Sequence, residues 1–174
     1  MRLRAACAVV AALAAASAGP VAGESQGRRV GEGGITVDLP AGWHTWRRLQ
    51  GLTPAVPEPL TRVVAVSAPF RFDERGCQVA ANSFSPAAVA AVVVEWTKGS
   101  PGNGWAPRPR RFSAAVLGLR PPSAIECFDG RGGSVEFVDH GTRLGAYLLA
   151  GRRAPTALVA RARAVLDILR VGPR

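Results

Sequence analysis

The clearest pattern of apolar and polar residues lies in the C-terminal half of the chain, where short apolar runs alternate with glycine-rich stretches. It predicts strands over residues 123–128, 134–139 and 143–150. The separating residues, 129–133 and 140–142, contain Asp-Gly and His-Gly pairs, which are typical of tight turns between neighbouring strands. We therefore expect an antiparallel meander in this part of the protein.

Beyond Gly151 the apolar residues change to a helical spacing. Pro155 suits a first helical turn, and the pattern predicts an amphipathic helix that ends near Arg170. The predicted apolar face comprises Leu158, Val159, Ala162, Val165, Leu166 and Leu169. Arg161 and Arg163 fall off this face, so we expect the helix to pack on a sheet with its arginines in solvent.

The N-terminal half also predicts strands. Residues 35–39 alternate apolar and polar side chains, and the turn sequence of residues 40–42 leads into a second strand that begins at Trp43. Residues 60–67 form the next predicted strand, and residues 77–81 form a weaker one.

The central part of the chain leaves one assignment open. Serine followed by proline at residues 85–86 is a helix-start signal, whereas the valine run 92–94 favours a strand. We assign residues 90–96 to a strand, with a helix as the alternative. Two stretches rich in proline or glycine, residues 49–60 and 99–109, are predicted as exposed loops.

These elements predict an α+β fold, a mostly antiparallel sheet with the C-terminal helix packed on one face, formed by residues 34–174 as a single domain. Residues 1–18 combine a basic start, an apolar stretch and small final residues, which predicts a signal peptide cleaved between Ala18 and Gly19. Residues 19–33 have no apolar period and are expected to be a flexible lead-in. The mature protein is then secreted or extracytoplasmic, in the cell envelope, without a transmembrane segment.

The cysteines agree with this location. Cys7 lies in the predicted leader, so Cys77 and Cys127 remain in the mature chain. In an oxidising compartment such a pair is usually a structural disulfide. The bond would close a loop of about 50 residues and stabilise the protein by about 4 kcal/mol in the chain-entropy model.

The chain is basic, with 22 Lys and Arg against 12 Asp and Glu and a formal net charge of +10. Loss of Arg2 and Arg4 with the leader lowers that charge to +8. Lys98 is the only lysine, a bias that indicates GC-rich codon usage and weakens the case for a nucleic-acid partner. We expect instead that the protein contacts anionic envelope polymers, lipid head groups or another envelope protein.

A resemblance to a known group rests on the two ends of the domain. Residues 35–43, ITVDLPAGW, a strand that runs into Pro-x-Gly-Trp, resemble the start of PsbP-like domains. The closing order of strand, strand and a helix with Leu-Asp-Ile-Leu at 166–169 is similar to small secreted actinobacterial proteins of this build. The resemblance spans residues 34–171 and implies a PsbP-like sandwich, an antiparallel sheet flanked by helices. Members are mostly binding or accessory modules, so no catalytic residue is carried over.

Catalytic candidates are few. His44 and His140 are the only histidines, neither pairs at metal-ligand spacing, and both are expected at the surface, so we expect no metal or cofactor. Glu126 and Glu136 lie on neighbouring predicted strands and would face each other in one register, as in a secreted hydrolase with paired carboxylates. Glu95, at the end of the valine run, is expected to reach water.

One surface candidate remains, an anion-binding ridge formed by Trp105, Arg108, Arg110, Arg111 and Phe112. Arginines between two aromatic residues, stiffened by prolines, would offer guanidinium groups to phosphate or carboxylate. The competing interpretation is a plain connection whose Trp105 and Phe112 anchor it to the core while the arginines are solvated. The sequence thus predicts a non-catalytic accessory or binding domain, with a secreted hydrolase that uses Glu126 and Glu136 or a histidine as the alternative.

Overall fold

The computed structural model describes residues 27–45, 59–69, 85–97, 104–120 and 128–173. In these ranges the chain forms two sheets and one helix, which confirms the predicted α+β class. The elements are β1 Arg28–Glu32, β2 Ile35–Leu39, β3 Leu60–Val66, β4 Val89–Trp96, β5 Ala106–Pro107, β6 Gly130–Asp139, β7 Thr142–Gly151, α1 Thr156–Asp167 and β8 Arg170–Val171.

The strands are divided between a large and a small sheet. The large sheet has the order β3-β4-β7-β6-β5, and the small sheet has the order β1-β2-β8. Every pair is antiparallel except β5 with β6. Strand β4 confirms the assignment of residues 90–96, and β6 with β7 confirms the predicted strands 134–139 and 143–150.

The main core lies between the inner face of the large sheet and a layer made of α1 and the small sheet. Strand β2 contributes Ile35, Val37 and Leu39, which alternate with polar residues, as the period-two pattern predicted. The helix contributes its buried face, which is Val159, Ala162, Val165 and Leu166. Complete burial of one such valine or leucine is worth about 1.5–3 kcal/mol, so this cluster supplies much of the driving force for folding.

The outer face of the large sheet carries a second apolar cluster. It consists of Val64, Val66, Ala90, Val92, Val94 and Leu149. Among the described residues, Phe128 and Tyr147 pack against it. Strand β4 is therefore buried on both faces, which explains why its valine run lacks alternation and forms a strand instead of a helix.

The turn between β6 and β7 agrees with its prediction. Asp139 pairs with Thr142 across a two-residue connection, and His140 and Gly141 have φ angles of 47° and 76°. Positive φ at both positions is the type I′ geometry that matches the twist of paired strands. The local sequence thus sets the register of the longest hairpin in the described part of the chain.

The predicted turn over residues 129–133 is wrong, because β6 already begins at Gly130. Its glycines lie within the strand and let neighbouring backbone segments approach it closely. A Cβ atom at Gly133 would collide with the carbonyl oxygen of Leu117, and one at Gly130 would collide with that of Ala150. Phe128 lies outside a strand, and the rest of the strand predicted over residues 123–128 lies outside the described residues.

The N-terminal part of the small sheet was not expected. Residues 28–32, which the sequence predicts as part of a flexible lead-in, form β1 and pair along the whole of β2. Gly33 and Gly34, with φ angles of 63° and 79°, make the turn between them. Val30 is partly buried against the main core, and one apolar residue in five gives too little pattern to predict a strand.

Helix α1 ends earlier than predicted, at Asp167 instead of near Arg170. The Leu169 N–H donates to the Leu166 carbonyl oxygen at 3.1 Å, which closes the last turn. Arg170 and Val171 then pair with β2 as strand β8. Leu169 stays in the core, so the apolar stripe was identified correctly although it continues past the helix.

Several predictions fall outside the described residues. They are the signal peptide 1–18, the weak strand 77–81, most of the loop 49–60, and the disulfide between Cys77 and Cys127. Within the described ranges, no helix combines the length and the apolar character that a membrane crossing requires.

Candidate functional site

Residues 104–120, called the arginine segment below, contain β5, the edge strand of the large sheet. Ala106 and Pro107 pair in parallel with Phe137 and Val138, and the Arg108 N–H donates to the Val138 carbonyl oxygen at 3.0 Å. Proline is tolerated at a sheet edge because no partner there needs its missing N–H. The exposed loop predicted over residues 99–109 is thus attached to the sheet in its last part.

Arg108 fastens this segment to the end of α1. Its Nη1 lies 3.0 Å from Asp139 Oδ2 and donates to the Leu169 carbonyl oxygen at 2.8 Å, while Nη2 donates to the Asp167 carbonyl oxygen at 3.1 Å. The last carbonyls of a helix lack intrahelical partners and carry the negative end of its dipole, so a cation stabilises them. Arg108 therefore belongs to the internal framework, and its side chain is only 24% exposed.

Phe112 fastens the segment a second time. Its ring is buried and meets Phe137 edge to face, with centroids 5.5 Å apart. Its backbone N–H donates to Asp167 Oδ1 at 2.7 Å. Both Arg108 and Phe112 are thus held at the C-terminal end of α1, with three residues between them.

Arg110 and Arg111 lie between these two attachments, and both are exposed. Neither makes a hydrogen bond or ion pair with another described residue. Their guanidinium groups therefore keep their full donor capacity for phosphate or carboxylate. Because Arg108 and Phe112 hold the chain at both ends of this short stretch, little backbone freedom would be lost on binding.

Trp105 projects from the opposite face of the large sheet. The Arg143 guanidinium carbon lies 4.5 Å from the centroid of its ring, a cation–π contact. Arg143 alternates with Leu144 of the main core and so points to the outer face. Of the five residues proposed for the ridge, only Arg110 and Arg111 form an exposed cationic pair, while Arg108 and Phe112 anchor them and Trp105 lies apart.

Replacement of Arg108 with glutamine is expected to lower the free energy of unfolding by about 2 kcal/mol, because Asp139 and the helix carbonyls lose a charged donor. Urea unfolding measures the change. Arg153→Gln removes an exposed arginine and should cost less than about 0.5 kcal/mol. Equal stability of the two variants would show that Arg108 does not anchor the segment.

The two histidines are exposed, as expected. His44 exchanges backbone hydrogen bonds with Val66 at 2.7 and 2.8 Å, which joins the segment after β2 to the large sheet. His140 Nδ1 lies 2.8 Å from Asp139 Oδ1 at the hairpin turn, next to the Arg108 contact. No set of three or more His, Cys, Asp or Glu side chains in the described ranges is placed to hold a metal ion.

The carboxylate pair proposed for a hydrolase has no geometry here, because Glu126 lies outside the described residues. Glu136 is exposed on β6, directly opposite Gly145. Burial raises the pKa of the Tyr147 hydroxyl, and the charge of Glu136 raises it further. Glu136 thus lies near Tyr147 on the outer face of the sheet.

The expectation that Glu95 reaches water is wrong. Glu95 is 0% exposed, and its Oε2 lies 2.6 Å from Nε of Arg62, whose side chain is 18% exposed. A register shift between Thr61 and Val63 makes Arg62 the extra residue of a β-bulge, which re-aims its side chain. The sequence did not reveal this pair because both residues look like ordinary strand residues at a surface.

Two further arginines on the small sheet, Arg29 and Arg170, share one carboxylate partner. Arg170 donates from both terminal nitrogens to Asp38, at 2.9 and 2.7 Å, and Arg29 Nε donates to it at 3.2 Å. These arginines, Arg170 first, lower the pKa of the Asp38 carboxyl to about 2. Arg29 and Arg170 are therefore engaged by an acid, unlike Arg110 and Arg111.

Comparison of this chain with protein-family models, with curated proteins and with solved structures finds no match. Its function is therefore inferred from the geometry of the arginine segment.

Proposed function

We propose that this protein is a secreted, non-catalytic binding or accessory domain, with a PsbP-like sandwich, that contacts an anionic component of the cell envelope through Arg110 and Arg111. One observation carries the proposal. Arg108 and Phe112 fasten the arginine segment to the end of α1, and the two arginines between them are exposed and carry no acidic partner among the described residues.

The chemistry of arginine fits such a partner. A guanidinium group donates two parallel hydrogen bonds to phosphate or carboxylate, and its planar fork loses less freedom in doing so than a lysine side chain. Each exposed contact is worth at most about 1 kcal/mol, so two arginines give weak and reversible binding to one group. A surface or polymer with repeated anionic groups would raise the effective affinity.

The location rests on the sequence. The three-part pattern of residues 1–18 supports export, and the Cys77 and Cys127 pair supports an oxidising compartment. The net charge of +8 that remains after loss of the leader favours association with an anionic surface and makes it sensitive to salt, since exposed charges are screened within about 8 Å at physiological ionic strength.

The test is to replace Arg110 and Arg111 together with glutamine and to measure binding of the purified protein to two probes. One is vesicles of phosphatidylglycerol and phosphatidylcholine, and the other is soluble poly(glycerol phosphate). We expect binding to at least one probe to fall about thirtyfold, because two cations near an anionic surface contribute about 1 kcal/mol each.

The matched control is Arg152→Gln with Arg153→Gln, in the exposed turn between β7 and α1, where Arg152 forms an ion pair with the exposed Asp129. This control removes the same charge, so its loss of binding should stay below about twofold if the position of the arginines matters. Equal losses for both double variants would mean that net charge alone drives binding, and binding of neither probe by the unaltered protein would refute the proposal.

A further inference from the structure

Two large apolar side chains are exposed where the arginine segment meets the end of α1. Val116 is 40% exposed and Ile168 is 46% exposed, and the other large apolar side chains of the described residues are more buried. Single exposed apolar residues are common on protein surfaces. What distinguishes this pair is where it lies in the chain: Val116 follows Arg111 by five residues, and Ile168 follows Asp167, which accepts the Phe112 N–H.

Hydrogen bonds at the end of α1 and within the arginine segment fix the backbone next to these residues. Ile168 directly follows Asp167, whose carboxylate accepts the Phe112 N–H at 2.7 Å. Val116 lies in a compact turn that begins right after Phe112, where its own N–H donates to Ser113 Oγ at 3.1 Å. The Leu117 N–H donates to the Ser113 carbonyl oxygen at 3.0 Å, which closes the same turn.

The alternation of exposed and buried residues gives their direction. Arg111, Val116 and Ile168 each precede a buried core residue in the chain. The buried partners are Phe112, Leu117 and Leu169, all members of the main core cluster. Because these partners point into the core, the exposed residues before them lie on the surface of the arginine segment and of the adjoining end of α1.

The two carboxylates next to this attachment have partners within the protein. Asp139 is paired with Arg108, and the Asp167 carboxylate accepts the Phe112 N–H. The surface therefore combines two available arginines with two exposed aliphatic side chains. That combination suits a bilayer interface, where aliphatic groups enter the acyl boundary and arginines contact lipid phosphates. A hydrated polymer would use the arginines alone.

We propose that the anionic partner of the arginine segment is a lipid bilayer with phosphate-bearing head groups, and that Val116 and Ile168 enter its interface beside Arg110 and Arg111. This inference rests on the proposed function, since it names the partner of the same site. Contact through two aliphatic side chains and two arginines is peripheral and reversible.

The test replaces Val116 and Ile168 together with serine, which leaves the charge unchanged. We expect binding to the phosphatidylglycerol vesicles to fall about fivefold, because less apolar surface enters the interface. Binding to soluble poly(glycerol phosphate) should not change. The control is Ala157→Ser with Ala160→Ser, on exposed positions of α1 nearer its start, which should leave vesicle binding unaltered.

A second variant reports insertion directly. With Ile168→Trp, we expect the added tryptophan emission to be quenched by brominated acyl chains in the vesicles, while Ala157→Trp should be quenched much less. Loss of vesicle binding in the serine variant together with this quenching supports the inference.

Unchanged vesicle binding by the serine variant, or absence of quenching at position 168, overturns the bilayer inference. If replacement of Arg110 and Arg111 weakens binding to the soluble polymer alone, the bilayer inference is also overturned. The proposed function would still stand. If the unaltered protein binds neither probe, both proposals fail.

Discussion

Replacement of Glu95 with glutamine is expected to lower the free energy of unfolding by about 3 kcal/mol, because loss of one member of a buried ion pair leaves the other charge without its partner. The carboxylate is completely buried, and Arg62 Nε lies 2.6 Å from it. Urea unfolding followed by circular dichroism measures the difference from the unaltered protein.

The control for this variant is Glu136→Gln, the same chemical change at an exposed position of β6, which should cost less than about 0.5 kcal/mol. Replacement of both partners, Arg62→Met with Glu95→Leu, should recover part of the loss, since apolar side chains of similar size need no compensating charge. A Glu95→Gln variant as stable as the control would show that this buried pair contributes little.

The second large effect concerns the predicted disulfide. Replacement of Cys77 and Cys127 together with serine is expected to lower the free energy of unfolding by about 4 kcal/mol, because the unfolded chain would no longer be constrained by a loop of about 50 residues. Peptide mass spectrometry without reduction identifies the bond, and urea unfolding measures its contribution.

Single replacements provide the control for this pair. Cys77→Ser and Cys127→Ser should each cost nearly as much as the double change, since either one removes the same bond. Free thiols at both positions in protein folded under oxidising conditions would contradict the prediction. So would a double variant as stable as the unaltered protein.

Periodic patterns allowed much of the fold to be predicted. The alternation in β2, the His-Gly turn at residues 140–141 and the apolar stripe of α1 are local features, and each is visible within a few residues of sequence. Strands β1 and β8 could not be predicted in this way. They are stabilised by pairing with β2, and β8 lies far from it in the sequence.

Glycine was the main source of error in the C-terminal half. The sequence 129–133 looks like a turn because glycine is common in turns, yet here it lets neighbouring backbones approach β6. Whether a glycine forms a turn or permits close backbone approach depends on which part of the folded chain packs against it. That neighbour, the backbone near Leu117, is not adjacent in sequence.

The candidate site was located from the sequence, but the roles of its residues were not. Arg108, Arg110 and Arg111 look alike in a basic stretch with prolines. They are distinguished by partners from distant parts of the chain, above all the carbonyl oxygens at and just after the end of α1 that accept hydrogen bonds from Arg108. Val116 and Ile168 look like core residues in apolar runs, and only the fold shows that they are exposed.

The two anchoring arginines lie at opposite margins of the large sheet. Arg62 joins Glu95 on the β3 side and touches the turn at Gly33, while Arg108 joins Asp139 near the β5 side and holds the chain just before β8. Each one links the large sheet to the layer formed by the small sheet and α1. A pulling force on Arg110 and Arg111 is therefore passed through Arg108 into the helix and both sheets at once. If the protein contacts an envelope surface as proposed, the two contacting arginines are held to the domain on both sides, by Arg108 and by Phe112.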